Sequence, residues 1–70
     1  MTRTSIQSSN LRAIGYDPAT HTLEVEFING GLYQYSGVPS QVHSALLSAV
    51  SHGSYFSHAI KNVYRCHKVG

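Results

Sequence analysis

Apolar and polar residues alternate most strictly in the stretch that runs from Thr22 to Ile28. One side of this stretch carries Leu23, Val25 and Phe27, and the other carries Thr22, Glu24 and Glu26. A period of two residues, with β-branched and aromatic residues on one side, is typical of a half-buried strand. The pattern therefore predicts a β-strand over residues 22–28.

A hairpin is predicted at residues 29–31, Asn-Gly-Gly, because Asn and Gly tolerate positive φ. A three-residue loop at these positions would pair Phe27 with Tyr33 and Val25 with Tyr35, and would keep apolar side chains on one face. A two-residue loop would instead place glutamates opposite the tyrosines, since a slip of one residue moves a strand's side chains to the other face. Burial favours the three-residue loop, and the third strand is predicted to end at Tyr35.

The segment before this hairpin is predicted to supply the first strand, over residues 8–16. Asp17 and Pro18 follow it and suit the first two positions of a type I turn. Residues 1–7 are small and polar, and we expect them to form a flexible tail. The remaining residues, 8–70, are expected to form a single domain.

Two short helices are predicted after the strands. The first begins at Pro39, which suits the first helical position, and Gly53 is expected to close it. The second covers about residues 55–62, with Ser54 as its N-cap. Their predicted buried faces consist of Val42, Ala45, Leu46, Ala49 and Val50, and of Phe56, Ala59, Ile60 and Val63.

Residues 64–69 are predicted to be extended. The sequence leaves open whether this segment pairs with the sheet as a C-terminal edge strand. The order of elements predicts an α+β domain, in which a three-stranded antiparallel meander is followed by two short helices packed on one face.

Composition narrows the class of protein. Seventy residues allow one domain, and charged residues make up 11%, against roughly 25% in an average soluble domain. The single cysteine, Cys66, excludes an internal disulfide framework. No apolar run approaches the roughly 20 residues of a membrane span, and the N-terminus lacks a signal-peptide core. We therefore expect no membrane partner and a cytoplasmic location.

Tyr33 and Tyr35 fall on one face of a predicted strand, about 7 Å apart. Two interpretations stay open for them. The rings could stack two bases, as sheet aromatics do in RNA-binding modules. They could instead pack under the helices with their hydroxyls at the surface, and the alternation with Val25 and Phe27 favours this burial.

Basic residues are the second candidate feature. Lys61, Arg65 and Lys68 cluster near the C-terminus, Arg12 lies apart from them, and the net charge is +2. These side chains are candidates for phosphate contacts. The cluster is sparse, so a solvated end of the domain is the alternative interpretation.

Catalysis and metal binding find little support in the sequence. The five histidines and Cys66 show no recognised zinc spacing. The acidic residues are Asp17 in a turn and Glu24 and Glu26 on a strand face directed to water. We therefore expect no metal, no cofactor, no small-molecule substrate and no enzymatic activity.

The order and spacing of several short motifs resemble the KTSC domain over about residues 8–66. The motifs are Ser8-Ser9-Asn10-Leu11, Ile14-Gly15-Tyr16-Asp17-Pro18, Leu23-Glu24-Val25-Glu26-Phe27, Asn29-Gly30, Tyr33-Gln34-Tyr35, Val38-Pro39, and Gly53-Ser54-Tyr55-Phe56 with Ile60 and Tyr64. This small domain is named for the C-terminus of some lysyl-tRNA synthetases and also occurs as a free-standing bacterial or phage protein. Val50 and His52 depart from the family, which more often has polar residues there.

The resemblance implies a non-catalytic binding domain, and the fusion to a tRNA-handling enzyme suggests RNA as the ligand by association. The alternative is a module for protein–protein interaction or homo-oligomerisation that works through the sheet face or edge. The low share of charged residues in the sequence supports this alternative.

Overall fold

The computed structural model describes residues 3–70 and contains one antiparallel sheet with two helices against one face. The strands lie side by side in chain order: β1 (Arg3–Ser5), β2 (Leu11–Asp17), β3 (Thr22–Phe27), β4 (Leu32–Ser36) and β5 (Arg65–Lys68). Helices α1 (Ser40–Ser48) and α2 (His52–Ala59) lie between β4 and β5 in the chain. The predicted α+β class is confirmed, but the sheet has five strands where the sequence predicted three and an optional fourth.

The first strand lies in the predicted tail. Arg3 pairs with Gly15 and Thr4 pairs with Ile14, so residues 3–5 are part of the sheet and the tail prediction is wrong for them. All three residues of β1 are exposed, so no alternation in the sequence marks the strand. Residues 1 and 2 of the predicted tail lie outside the described residues.

The loop of the β3–β4 hairpin has three residues, as predicted, but it consists of Ile28–Gly30 and not of residues 29–31. Phe27 donates its N–H to the carbonyl of Gly31 over 2.8 Å, and its own carbonyl accepts the N–H of Gly30 over 2.9 Å. Gly30 has a φ of +99°, in the left-handed region that glycine adopts without strain. The turn therefore uses the first glycine for its backbone conformation and the second to begin the ladder.

The register of the hairpin consequently differs by two residues from the predicted one. Val25 pairs with Tyr33, and Leu23 pairs with Tyr35. A shift of two residues leaves every side chain on its predicted face, because the side-chain period of a strand is two. The tyrosines therefore share the face of Leu23 and Val25, as the three-residue loop predicted.

The core lies between this face and the helices. It consists of Leu11, Ile14, Leu23, Val25, Tyr35, Val38, Leu46, Phe56 and Ile60. Val50 and Val63, which were predicted to be buried, are 106% and 59% exposed. Both follow the end of a helix, in the turns after α1 and α2, so the helical period no longer directs them to the core.

The second helix begins three residues earlier than predicted. Its N-cap is Ser51, whose hydroxyl accepts the N–H of Ser54 over 3.2 Å. Gly53 therefore lies in the first turn of α2 and does not close α1. A Cβ on Gly53 would lie 2.6 Å from Oδ1 of Asn10, and that oxygen accepts a hydrogen bond from Ser8. The glycine thus lets the helix pass close to the loop before β2.

One aromatic contact and one hydrogen bond tie α1 and the segment before it to β2. The ring of His43 in α1 stacks on Tyr16 at 4.6 Å, and the Tyr16 hydroxyl donates to the carbonyl of Val38. Burial lowers the pKa of His43.

Among residues 3–70, neither helix has the length and hydropathy that a membrane crossing requires.

Tyr35 is a core residue, 5% exposed, and its ring meets Phe56 edge-on at 5.4 Å. Burial raises the pKa of Tyr35 from 10.0 to about 12, with smaller contributions from the neighbouring Cys66 and Tyr33 side chains. The low-dielectric surroundings disfavour the phenolate, so the folded domain is more stable with the Tyr35 hydroxyl in its neutral form.

Replacing Gly53 tests the close approach of α2 to Asn10. An alanine inside a helix normally stabilises by about 1 kcal/mol relative to glycine. We expect Gly53→Ala to give no such gain, because its Cβ displaces Asn10 from Ser8. In an Asn10→Ala background, the same change should stabilise by about 0.5–1 kcal/mol. Urea unfolding of the four proteins measures this, and equal effects in both backgrounds would contradict the contact.

The pKa of Tyr35 predicts a loss of stability at alkaline pH. A tyrosine in the unfolded chain ionises near pH 10, whereas Tyr35 ionises near pH 12 in the folded domain. Its contribution is therefore complete below pH 10 and is lost as the pH rises through 12, by about 2–3 kcal/mol in all. Urea unfolding between about pH 9 and 11.5 should show a steeper decline for the unaltered protein than for Tyr35→Phe. Tyr55→Phe is the control, and a parallel decline for Tyr35→Phe would refute the assignment.

Candidate functional site

A cleft of about 740 Å³ opens on the helix-bearing side of the sheet. It lies between residues 29–31 of the β3–β4 hairpin, the end of α2 with the turn after it, and β5 with the residues that follow. Its lining residues come from four separate stretches of the chain: Asn10, Phe27, Asn29, Gly30, Gly31, Tyr33, Tyr35, Phe56, Ser57, Lys61, Asn62, Cys66, Lys68 and Gly70. The fold thus assembles the cleft from residues that are distant in sequence.

Aromatic rings make up a large part of its wall. Phe27 meets Tyr33 at 5.6 Å and Phe56 at 5.6 Å, and Phe56 meets Tyr35 at 5.4 Å. All three contacts are edge-to-face, the geometry that the quadrupoles of aromatic rings favour. Phe56 and Tyr35 are buried, whereas Phe27 and Tyr33 are half-buried and keep part of their surface accessible.

Two lysines bring positive charge to the cleft. Lys68 pairs with Tyr33 across β4 and β5, so both side chains leave the sheet on the same face. Lys61 follows the end of α2, and both lysines are exposed. Tyr33 and Lys68 are therefore cross-strand neighbours that both line the cleft.

The acidic side chains lie elsewhere. Glu24 and Glu26 project from the opposite face of β3, where Glu24 contacts Arg3 at 3.3 Å and Glu26 contacts Arg12 at 3.9 Å. Asp17 accepts the N–H of Ala19 in the turn after β2. These are the three acidic residues of the chain, and none of them lines the cleft. The charged side chains that line the cleft are therefore both basic, Lys61 and Lys68.

The structure brings together four of the six candidate residues. Tyr33, Tyr35, Lys61 and Lys68 line the cleft, while Arg12 and Arg65 are on the other side of the sheet. Arg65 pairs with Ser36 and so alternates with Lys68 along β5. The burial interpretation fits Tyr35, which leaves Tyr33 as the tyrosine that offers surface to a ligand.

Sequence reasoning missed the amides of the cleft, which belong to Asn10, Asn29 and Asn62. The Asn29 Oδ1 atom accepts the N–H of Gly31 over 3.0 Å, and the Asn10 Oδ1 atom accepts from Ser8 over 3.1 Å. In both side chains this arrangement leaves the NH₂ group to donate to a bound molecule. Each Asn lies in a different loop, so no spacing in the sequence could have grouped them.

Metal ligands do not cluster in the part of the chain that the structure describes, where no group of three His, Cys, Asp or Glu side chains comes together. Cys66 is exposed and lies across from Tyr35 on β5, inside the cleft. The chemistry that the cleft offers is therefore stacking, amide donation and positive charge.

Comparisons with known proteins identify relatives of the whole described fold. The crystal structure of a KTSC domain protein from Yersinia pestis matches with a TM-score of 0.96 and 43% identity, and the match covers 99% of this chain and 97% of that one. An uncharacterised protein from Stutzerimonas stutzeri is 51% identical over 61 residues, which is 87% of this chain and 86% of that protein.

Similarity also extends to much longer enzymes. A lysine–tRNA ligase from Nostoc sp. is 39% identical over 59 residues, which is 84% of this chain. The matched part is 10% of the ligase, so this chain spans about a tenth of that enzyme's length.

The family assignment rests on the match to a family model as well as on these relatives. The model of the KTSC domain matches residues 7–64, which is most of the chain. The resemblance predicted from the sequence motifs is confirmed, and the chain belongs to the KTSC domain family.

Proposed function

We propose that this domain is a non-catalytic binding module that holds single-stranded RNA in the cleft beside α2. The observation that carries the proposal is the convergence of Tyr33, Lys61 and Lys68 in a cleft that no acidic side chain lines. Aromatic surface next to positive charge is the combination that proteins use to bind single strands. The cytoplasmic location expected from the sequence accompanies this proposal.

The parts of a nucleotide correspond to the parts of the cleft. The base packs against the accessible surface of Tyr33, and Lys68, its cross-strand neighbour, lies within reach of the adjoining phosphate. Lys61 approaches from the end of α2 and neutralises charge on the same segment of the strand. The amides of Asn29 and Asn62 donate hydrogen bonds to base or sugar oxygens.

RNA is favoured over other anions because a segment similar to this chain occurs in lysine–tRNA ligases. Ligases that join lysine to tRNA contain a segment similar to this chain, at 39% identity in the Nostoc enzyme. This support is associational, because a domain can be reused for different purposes.

The alternative proposal, interaction with a protein or with a second copy through the sheet, is less well supported. The edge strands are short, three residues in β1 and four in β5, and they carry Arg3, Arg65 and Lys68. Short edges with exposed charge disfavour the addition of another strand. The open sheet face holds paired charges instead of a contiguous apolar surface.

Replacing the lysines tests the electrostatic part of the proposal. We expect Lys68→Gln and Lys61→Gln each to weaken binding of a short single-stranded RNA about fivefold at low salt. Each should also reduce the salt slope of log K by about 0.7, the value for one phosphate contact on a single strand. Fluorescence anisotropy at two salt concentrations measures both quantities.

The control for this experiment is Arg65→Gln. It removes the same charge from the same strand, but from the opposite face of the sheet. Its effect on affinity should be less than twofold. An equal loss of affinity for Arg65→Gln and Lys68→Gln would mean that positive charge contributes to binding equally on both faces of the sheet, and not through the cleft. Undetectable RNA binding at low salt would contradict the proposal as a whole.

Tyr33 tests the stacking part. Tyr33→Phe keeps a ring and should retain RNA affinity within about twofold, whereas Tyr33→Leu keeps bulk but loses the ring. Base–aromatic stacking contributes about 1–3 kcal/mol, so Tyr33→Leu should weaken binding roughly tenfold. Thermal unfolding of each variant checks that the domain is intact. Equal affinities for the Phe and Leu variants would show that the ring does not stack on a base.

A further inference from the structure

A smaller depression of about 380 Å³ adjoins the cleft. Ser9, Asn10, Phe27, Ile28 and Asn29 line it, and three of them, Asn10, Phe27 and Asn29, also line the cleft. The two depressions are therefore neighbouring compartments of one groove, and these three shared residues form the boundary between them.

The boundary is held by the backbone as well as by side chains. Ile28, in the hairpin loop, donates its N–H to the carbonyl of Asn10 over 2.9 Å. Asn10 in turn packs against Gly53 of α2. The loop before β2 therefore contacts both the hairpin loop and the second helix at this boundary.

The two compartments differ in chemistry. The larger one contains both lysines and Tyr33. The smaller one is lined by no charged side chain, and it includes the side chain of Ile28, which is 51% exposed at the tip of the hairpin. An uncharged compartment with accessible apolar surface suits a flat, neutral group better than a phosphate.

Two side chains at the boundary, Asn10 and Asn29, offer hydrogen-bond donors to a ligand that spans both compartments. The oxygens of Asn10 and Asn29 already accept hydrogen bonds within the domain, as described above, which leaves their NH₂ groups for a ligand. Phosphate and sugar oxygens are the acceptors that a strand presents between one base and the next.

We propose that the groove holds two successive nucleotides of a single strand, one base against Tyr33 in the cationic compartment and the next against Ile28 in the uncharged compartment. The linking phosphodiester crosses the boundary at Asn10 and Asn29. This inference rests on the proposed function and adds to it a binding length and a second base contact.

The experiment compares ligands that differ by one base at equal charge. The probes are a 5′-phosphorylated diadenylate and two dinucleotides of the same charge, in which one or the other adenosine is replaced by an abasic ribose. Titration calorimetry or chemical-shift titration gives their affinities at low salt. We expect the diadenylate to bind about tenfold more tightly than either abasic probe, because the abasic probes can place only one base.

Variants then locate the second base. Ile28→Ser should remove most of the advantage of the diadenylate over the abasic probe that keeps its base against Tyr33, and should leave the affinity of that probe within about twofold. The matched control is Val63→Ser, which replaces a similarly exposed aliphatic residue outside both compartments and should keep the advantage.

The outcomes separate this inference from the function on which it rests. Equal binding of the diadenylate and the abasic probes overturns the second base contact while RNA binding in the cleft stands. An Ile28→Ser effect no larger than that of Val63→Ser also overturns it. If neither the dinucleotide probes nor an RNA of greater length binds at low salt, the proposed function fails together with the inference.

Discussion

The packing of Phe56 against the sheet is the contact on which the rest of the structure depends. In α2 it is the buried residue, and its ring meets Phe27 and Tyr35 at 5.6 Å and 5.4 Å. A domain of this size has a small core, and a ring of this kind typically contributes about 3–5 kcal/mol. The same contact holds α2 at the distance from β4 and β5 that opens the cleft. Stability and the candidate site therefore share one set of rings.

Sequence patterns predicted the elements that bury side chains, left open the pairing of the C-terminal segment that forms β5, and missed β1. The alternation over residues 22–28 correctly assigned the faces of β3, and the parity of the hairpin placed Tyr33 on the face of Val25. The strands β1 and β5 have only exposed residues, so no hydrophobic period could reveal them. Gly53 looked like a helix terminator, whereas its role is the close approach to Asn10, a tertiary contact that no local rule describes.

The candidate site was predictable only in part, for a related reason. Its ring and cation were identifiable by residue type, but the choice between Lys68 and Arg65 depended on the pairing of β5 with β4. Alternation along β5 sends one cation to the cleft and the next to the opposite face. The amides come from separate loops and are grouped only by the fold. The sorting of charge between two sides of the sheet thus follows from register and not from composition.

The central claim, that the cleft is the surface that binds RNA, is tested most directly by the side-chain amide signals in a ¹H–¹⁵N correlation spectrum. Asn10, Asn29 and Asn62 line the cleft, whereas Gln34 donates to Glu24 on the opposite sheet face. Addition of a short single-stranded RNA should shift the three asparagine signals and leave that of Gln34 in place. A shift of Gln34 with the three asparagine signals unmoved would contradict the account.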